Sequence, residues 1–167
     1  LNASYTISAW FKNLYTNGTW RTLTRGSTTD HQVIIESGTD NLGLYANGRG
    51  NFLDSGFDMP SANYQGAWHH IAAAGDADQT KFYLDGILQG TSARAGIDNV
   101  FAIGNYQGGN QRFAEFLDDV RVYNIALNDA EITNLYGGGN GDDGNTTVVK
   151  IERIKTWKDL SGNGRHA

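Results

Sequence analysis

The residues with chemistry to offer are four glutamates, four histidines, 14 aspartates and a set of amides and aromatics among turn-forming residues. Hydrolysis of a glycosidic bond with retention takes two carboxylates roughly 5 Å apart, held on rigid elements. Glu36, Glu115, Glu131 and Glu152 are scattered along the chain; Glu36 ends an extended run and Glu131 stands where a helix start is capped. There is no Gly-x-Ser-x-Gly elbow for a serine nucleophile. No enzyme activity is expected from this set. His69-His70 suggests a metal pair, but neighbours on a strand point to opposite faces and cannot share an ion without a bulge.

Asp118 is the stronger candidate for a metal. If Val120 and Val122 face a core, strict alternation carries Asp118 to the same face. A carboxylate turned inward must be paired. A hard cation such as Ca²⁺ would satisfy it with oxygen ligands, and so would backbone N–H groups. Asp142-Asp143 reads either as a calcium-binding string or as a solvated linker, and it lacks the glutamate that ends an EF-hand loop. For a polar organic ligand, the segment 105–112 combines amides, one aromatic ring and an arginine. Asn105, Tyr106, Gln107 and Arg112 are its candidate ligand-binding residues, and Tyr15, Trp20, Tyr45, Asn47, Arg49 and Tyr64 offer similar groups elsewhere.

These groups must be positioned by strands. Gly contributes 22 of the 167 residues, Asn and Asp are abundant, and Pro occurs once. Those turn formers punctuate short runs rich in β-branched and aromatic residues. Nine such runs are expected: 5–11, 20–24, 31–36, 42–45, 68–72, 81–84, 87–89, 101–104 and 116–123. Asp85-Gly86 suits the type I′ turn of a hairpin, and 46–67 reads as loop. Asn128 followed by Glu131 resembles a capping box before Ile132 and Leu135, and Gly137-Gly138-Gly139 stops that helix. The spacing points to an all-β, two-sheet antiparallel sandwich with one short helix. Residues 1–136 form the domain, 137–147 a Gly/Asp/Asn-rich linker, and 148–167 a separate C-terminal segment.

Composition removes several function classes. Thirteen Lys and Arg against 18 Asp and Glu leave a net charge of −5, which argues against nucleic acid as a partner. No apolar run approaches the ~20 residues of a membrane span. Cys is absent, so neither a disulfide framework nor a thiolate metal site is available.

Tyr5-Thr6-Ile7-Ser8-Ala9-Trp10-Phe11, Trp68-His69-His70-Ile71, Phe82-Tyr83-Leu84-Asp85-Gly86 and the stretch 116–131 around Leu117-Asp118-Asp119-Val120-Arg121-Val122-Tyr123-Asn124 follow one another in a telling order. Together they resemble the successive signatures of laminin-G-like domains, in the concanavalin A-like lectin and glucanase superfamily. The resemblance covers Leu1 to about Tyr136 and implies a jelly-roll sandwich of an extracellular or cell-surface protein, with this chain a fragment of a larger secreted bacterial one. The Glu-x-Asp-x-x-Glu strand of the superfamily's glucanases has no counterpart here. Family members usually begin with an Asp-x-Ser-Gly-x-Gly loop, whereas here that loop stands at the C-terminus, in Trp157-Lys158-Asp159-Leu160-Ser161-Gly162-Asn163-Gly164. The segment is therefore expected to dock in the head position of this domain or of a neighbouring copy. The resemblance also implies a structural Ca²⁺ held by Asp118 and Asp159 with carbonyls near Gly162 and Asn163. The function expected is a non-catalytic binding or adhesion module for a glycan or surface partner. The alternatives are a structural spacer that contacts only neighbouring copies or modules and, less favoured, a glucanase-like hydrolase.

Overall fold

The first strand alternates large apolar with smaller or polar residues and is buried on both faces from Tyr5 to Phe11. Tyr5, Ile7, Ala9 and Phe11 are all fully buried in one cluster, while Trp10 stacks on the opposite face of the strand with Tyr136. A computed structural model describes residues 1, 4–16, 19–28, 30–106 and 110–137. The ten strands described are β1 (Ser4–Leu14), β2 (Arg21–Gly26), β3 (His31–Ile35), β4 (Asn41–Ala46), β5 (Asn51–Asp58), β6 (Trp68–Asp76), β7 (Gln79–Leu84), β8 (Ile87–Ser92), β9 (Val100–Ile103) and β10 (Ala114–Tyr123). Among the described residues, the helix α1 (Asp129–Tyr136) and a 3₁₀ turn at Ser61–Asn63 accompany the strands. No helix among the described residues is long and apolar enough to cross a membrane.

Two antiparallel five-stranded sheets face each other, in the orders β10-β1-β6-β7-β8 and β5-β4-β3-β2-β9. The expected two-sheet sandwich is therefore the fold. Its core lies between the sheets and takes Phe11, Leu23, Val33, Ile35, Leu42, Leu44, Ile71, Phe82 and Phe113 from both sides. A second cluster covers the outer face of the first sheet, where Ile132 and Leu135 of α1 pack with Leu127 onto Ala72, Ala74, Tyr83 and Tyr123. That cover explains the unbroken apolar run Ile71-Ala72-Ala73-Ala74 in β6, which is buried on both faces. The helix starts as its sequence foretells: Asn128 accepts from the Glu131 N–H while Glu131 accepts from the Asn128 N–H, and Gly137 ends it in the left-handed region. Asp85 and Gly86 have φ of 49° and 77°, the two positive values that a type I′ hairpin turn requires.

Two expectations are corrected. The loop expected over 46–67 contains β5, an edge strand paired only to β4. Ser55 and Gly56 are left over between the Gly43–Asp54 and Leu42–Phe57 pairs, which breaks the alternation that would have revealed it. The second correction is in β10, where strict alternation fails. Ser8 pairs with Arg121 but Trp10 pairs with Asp118, so β10 carries one extra residue there, and Asp119 takes a φ of 46°. Val120, Val122 and Leu117 reach the core, whereas Asp118 is exposed. Beyond Gly137, the linker and the C-terminal segment lie outside the described residues.

Candidate functional site

The second sheet presents a row of side chains on the face opposite the core. Leu23, Val33, Ile35, Leu42 and Leu44 point into the sandwich, with Leu53 and Val100 packed against them. The other face takes one prominent side chain from each strand in sheet order: Phe52 from β5, Tyr45 from β4, His31 from β3, Arg25 from β2 and Phe101 from β9. Trp20, just before β2, and Tyr106, just after β9, close the gaps between them.

The contacts are continuous. Trp20 meets Phe52 edge-on at 5.5 Å and Tyr45 at 5.8 Å between ring centroids. Tyr45 and His31 are register partners and meet edge-on at 6.0 Å. His31 stacks on Tyr106 at 5.9 Å, and the Arg25 guanidinium lies 4.4 Å from the Tyr106 centroid and 5.8 Å from that of Phe101. Edge-to-face pairs and a cation over a ring are the arrangements that ring quadrupoles favour. Gly43 makes room for this row, because a Cβ there would stand 2.8 Å from the Phe52 ring and 2.3 Å from the Leu53 carbonyl oxygen.

Two bulges aim the polar members outward. Thr22 and Thr24 pair with the successive residues Ile34 and Val33, and the β3–β4 register shifts between His31 and Ile34. Without them, alternation from Leu23 and from Val33 would send Arg25 and His31 into the core. Neighbouring loops are tied down around them. Thr22 donates through its N–H to the Gln111 carbonyl at 2.9 Å and through its hydroxyl to Gln111 Oε1 at 2.9 Å. The Tyr106 N–H donates to the Asn110 carbonyl at 2.8 Å, and Asp30 is engaged by Arg49 at 2.8 Å and by the Asn47 N–H at 2.8 Å.

The electrostatics single out two residues. Burial, reinforced by the Arg25 charge and opposed by Asp30, pushes the His31 pKa down to about 4, so its ring is neutral at pH 7. Arg25 is only 5% exposed, and among the described residues no acceptor lies within hydrogen-bond reach of its Nε. Arg21, equally buried, pairs with Asp40 instead.

Of the residues expected to bind a ligand, Tyr106 sits in the row and Asn105 adjoins it in sequence. Arg112 is exposed and lies over the Tyr15 ring at 5.7 Å, while Gln107 falls outside the described residues. Trp20 and Tyr45 belong to the row, but Tyr64 is buried against Phe11 and His69. Arg25, His31, Phe52 and Phe101 went unrecognised in the sequence. The one available signal was the aromatic–basic content of their strands, since their direction depends on the bulges.

Asp118 does not fit the inward-facing cation site drawn from alternation. Its carboxylate accepts from the Asp119 N–H at 2.8 Å, and Asp119 itself holds Arg121 at 2.6 Å. Asp159, Gly162 and Asn163 lie outside the described residues. Among the described residues no group of three or more His, Cys, Asp or Glu is placed to hold a metal ion. His69 and His70 point to opposite faces as expected, His69 toward Phe11 and Tyr64, His70 toward Trp10 and Tyr136.

Sheet order, core and outer face define a jelly-roll sandwich of the lectin-like class. The chain belongs to the laminin-G-like family of the concanavalin A-like lectin/glucanase superfamily, whose model matches residues 1–133. A comparison with curated proteins found no match. Among solved structures, domain 4 of an extracellular arabinanase from Geobacillus stearothermophilus, in complex with arabinotriose, is similar at a TM-score of 0.61 and 21% identity, over 81% of this chain and 68% of that one. A heptameric SAP-like pentraxin from Limulus polyphemus gives a TM-score of 0.59 at 21% identity, over 84% and 72% of the two chains. A candidate carbohydrate binding protein from Bacteroides ovatus gives 0.58 at 19%, over 78% of this chain and 40% of that one. At these identities the likeness establishes the fold.

Proposed function

We propose that this chain is a non-catalytic carbohydrate-binding module of a larger extracellular protein, and that it holds its glycan on the outer face of the second sheet. The carrying observation is the row Phe52–Trp20–Tyr45–His31–Tyr106–Arg25–Phe101, which crosses all five strands of that sheet. Sugar rings present apolar C–H faces and a rim of hydroxyls. Half-exposed Trp20, Tyr45, Phe52 and Tyr106 suit the faces, and the polar groups between them suit the rim. The arabinotriose complex of the similar arabinanase domain supports a sugar ligand. The three glutamates among the described residues support binding over hydrolysis: Glu36 accepts from Thr39, Glu115 from Asn13 and Glu131 caps α1, while Glu152 lies outside them.

A glycan array, followed by calorimetry on the best hits, tests the reading. Saturable binding that falls roughly tenfold or more in Tyr45→Ala, with unchanged thermal unfolding, is the expected result. Uniform silence across the array leaves the structural spacer as the better account.

A further inference from the structure

We propose that the glycan held on this face is an acidic one, whose carboxylate is taken by Arg25. The inference rests on the glycan-binding reading and adds the chemical class of the ligand. A guanidinium presents donors in a rigid fork that matches a planar carboxylate. Buried cations are otherwise paired, since an unpaired charge away from water is costly. In this protein the rule holds around Arg25 and stops at it. Arg21, the other buried arginine among the described residues, is paired with Asp40, and the partly exposed Arg49 and Arg121 are paired with Asp30 and Asp119. Arg25 is about as buried as Arg21 and, like it, has no acceptor for Nε, yet among the described residues Arg25 alone of the two has no carboxylate partner.

Its surroundings leave it free to take an anion. The Asp30 carboxylate, beside His31, is already engaged by Arg49 and by the Asn47 N–H. What touches the guanidinium is the Tyr106 face at 4.4 Å and, more loosely, Phe101 at 5.8 Å. Both are ring contacts, which use none of the in-plane N–H donors, and among the described residues Nε has no acceptor. A carboxylate hydrogen-bonded to those donors is the stronger partner, and the aromatic row places a sugar ring alongside. A neutral His31 adds no second cation, so the site suits one carboxylate and not a dense run of sulfates.

The test is calorimetry with oligomers of galacturonate, glucuronate, mannuronate and N-acetylneuraminate, each beside its methyl ester, with neutral oligosaccharides and an oligoaspartate peptide as controls. The expected result is binding to at least one acid, weakened roughly 10- to 100-fold by esterification and by Arg25→Met, and only partly restored by Arg25→Lys. The esterification arm uses the unaltered protein, so it decides the matter even where Arg25→Met fails to fold. Binding of neutral sugars alone, or of acid and ester equally, overturns the acidic ligand and leaves the glycan reading standing. Binding of the peptide alone, or of nothing, overturns both.

Discussion

Asp85 and His70 hold each other by reciprocal bonds: the His70 N–H donates to the Asp85 carboxylate at 2.8 Å, and the Asp85 N–H donates to the His70 carbonyl at 2.8 Å. The second oxygen of that carboxylate bonds His69 Nδ1 at 2.8 Å. One side chain in a hairpin turn thereby secures the start of β6, and the histidine pair is structural. Asp85→Ala should lower stability by about 1–3 kcal/mol, as expected when bonds to a carboxylate are lost. Asp85→Asn should lose less, because asparagine tolerates the positive φ and keeps one acceptor. Urea unfolding of the two variants checks the order, and equal losses would show that turn geometry alone matters.

Acid should destabilise the protein before the carboxylates titrate. Burial first of all holds both His31 and His70 at about 4. For His70, the Asp85 and Asp119 carboxylates oppose that shift and Arg121 reinforces it. The unfolded chain takes up protons on these histidines as pH falls through about 6.5, while the folded chain declines them until about 4. Stability is then complete above pH 6.5 and falls between 6.5 and 4, by at most about 1.4 kcal/mol per pH unit for each histidine. Urea midpoints at pH 7, 6 and 5 should decline in order, and His31→Gln should flatten the decline. A constant midpoint would remove both histidines from the account.

Gly43 should not accept a side chain. The Cβ of Gly43→Ala would stand 2.3 Å from the Leu53 carbonyl oxygen, so β5 must shift at a cost of about 1–3 kcal/mol. Because the Phe52 ring sits over the same spot, its contact with Trp20 should loosen too. A changed tryptophan emission, with lowered Tm and weaker glycan binding, is the expected combination. Unchanged emission would separate the row from its support on β4.

The helix cap should be worth about 1 kcal/mol. Asn128→Ala removes the acceptor for the Glu131 N–H, and α1 shields the outer face of β6 and β7. Its loss should therefore lower Tm without changing glycan affinity, since α1 covers the other sheet. Altered affinity would reveal coupling between the two faces.

Local chemistry was enough for the frame. The period-two apolar pattern of β1, the Asp85-Gly86 turn, the Asn128–Glu131 cap and the Gly137 stop each express a short-range preference that tertiary contacts did not overrule. The ordered motifs from Tyr5 to Glu131 also identified the family over the region that its model matches.

The site was less legible, for a physical reason. A strand's alternation assigns faces only while the register is unbroken, and one inserted residue reverses every assignment beyond it. Such insertions in β2 and β3 turn Arg25 and His31 outward, and the one in β10 leaves Asp118 in solvent. They arise from how each strand fits its neighbours across the sheet. The sequence by itself therefore determined the sandwich, its hairpin turn and its capped helix. Only the tertiary structure decided which side chains meet on the outer face, because that depends on registers set by strands distant in the chain.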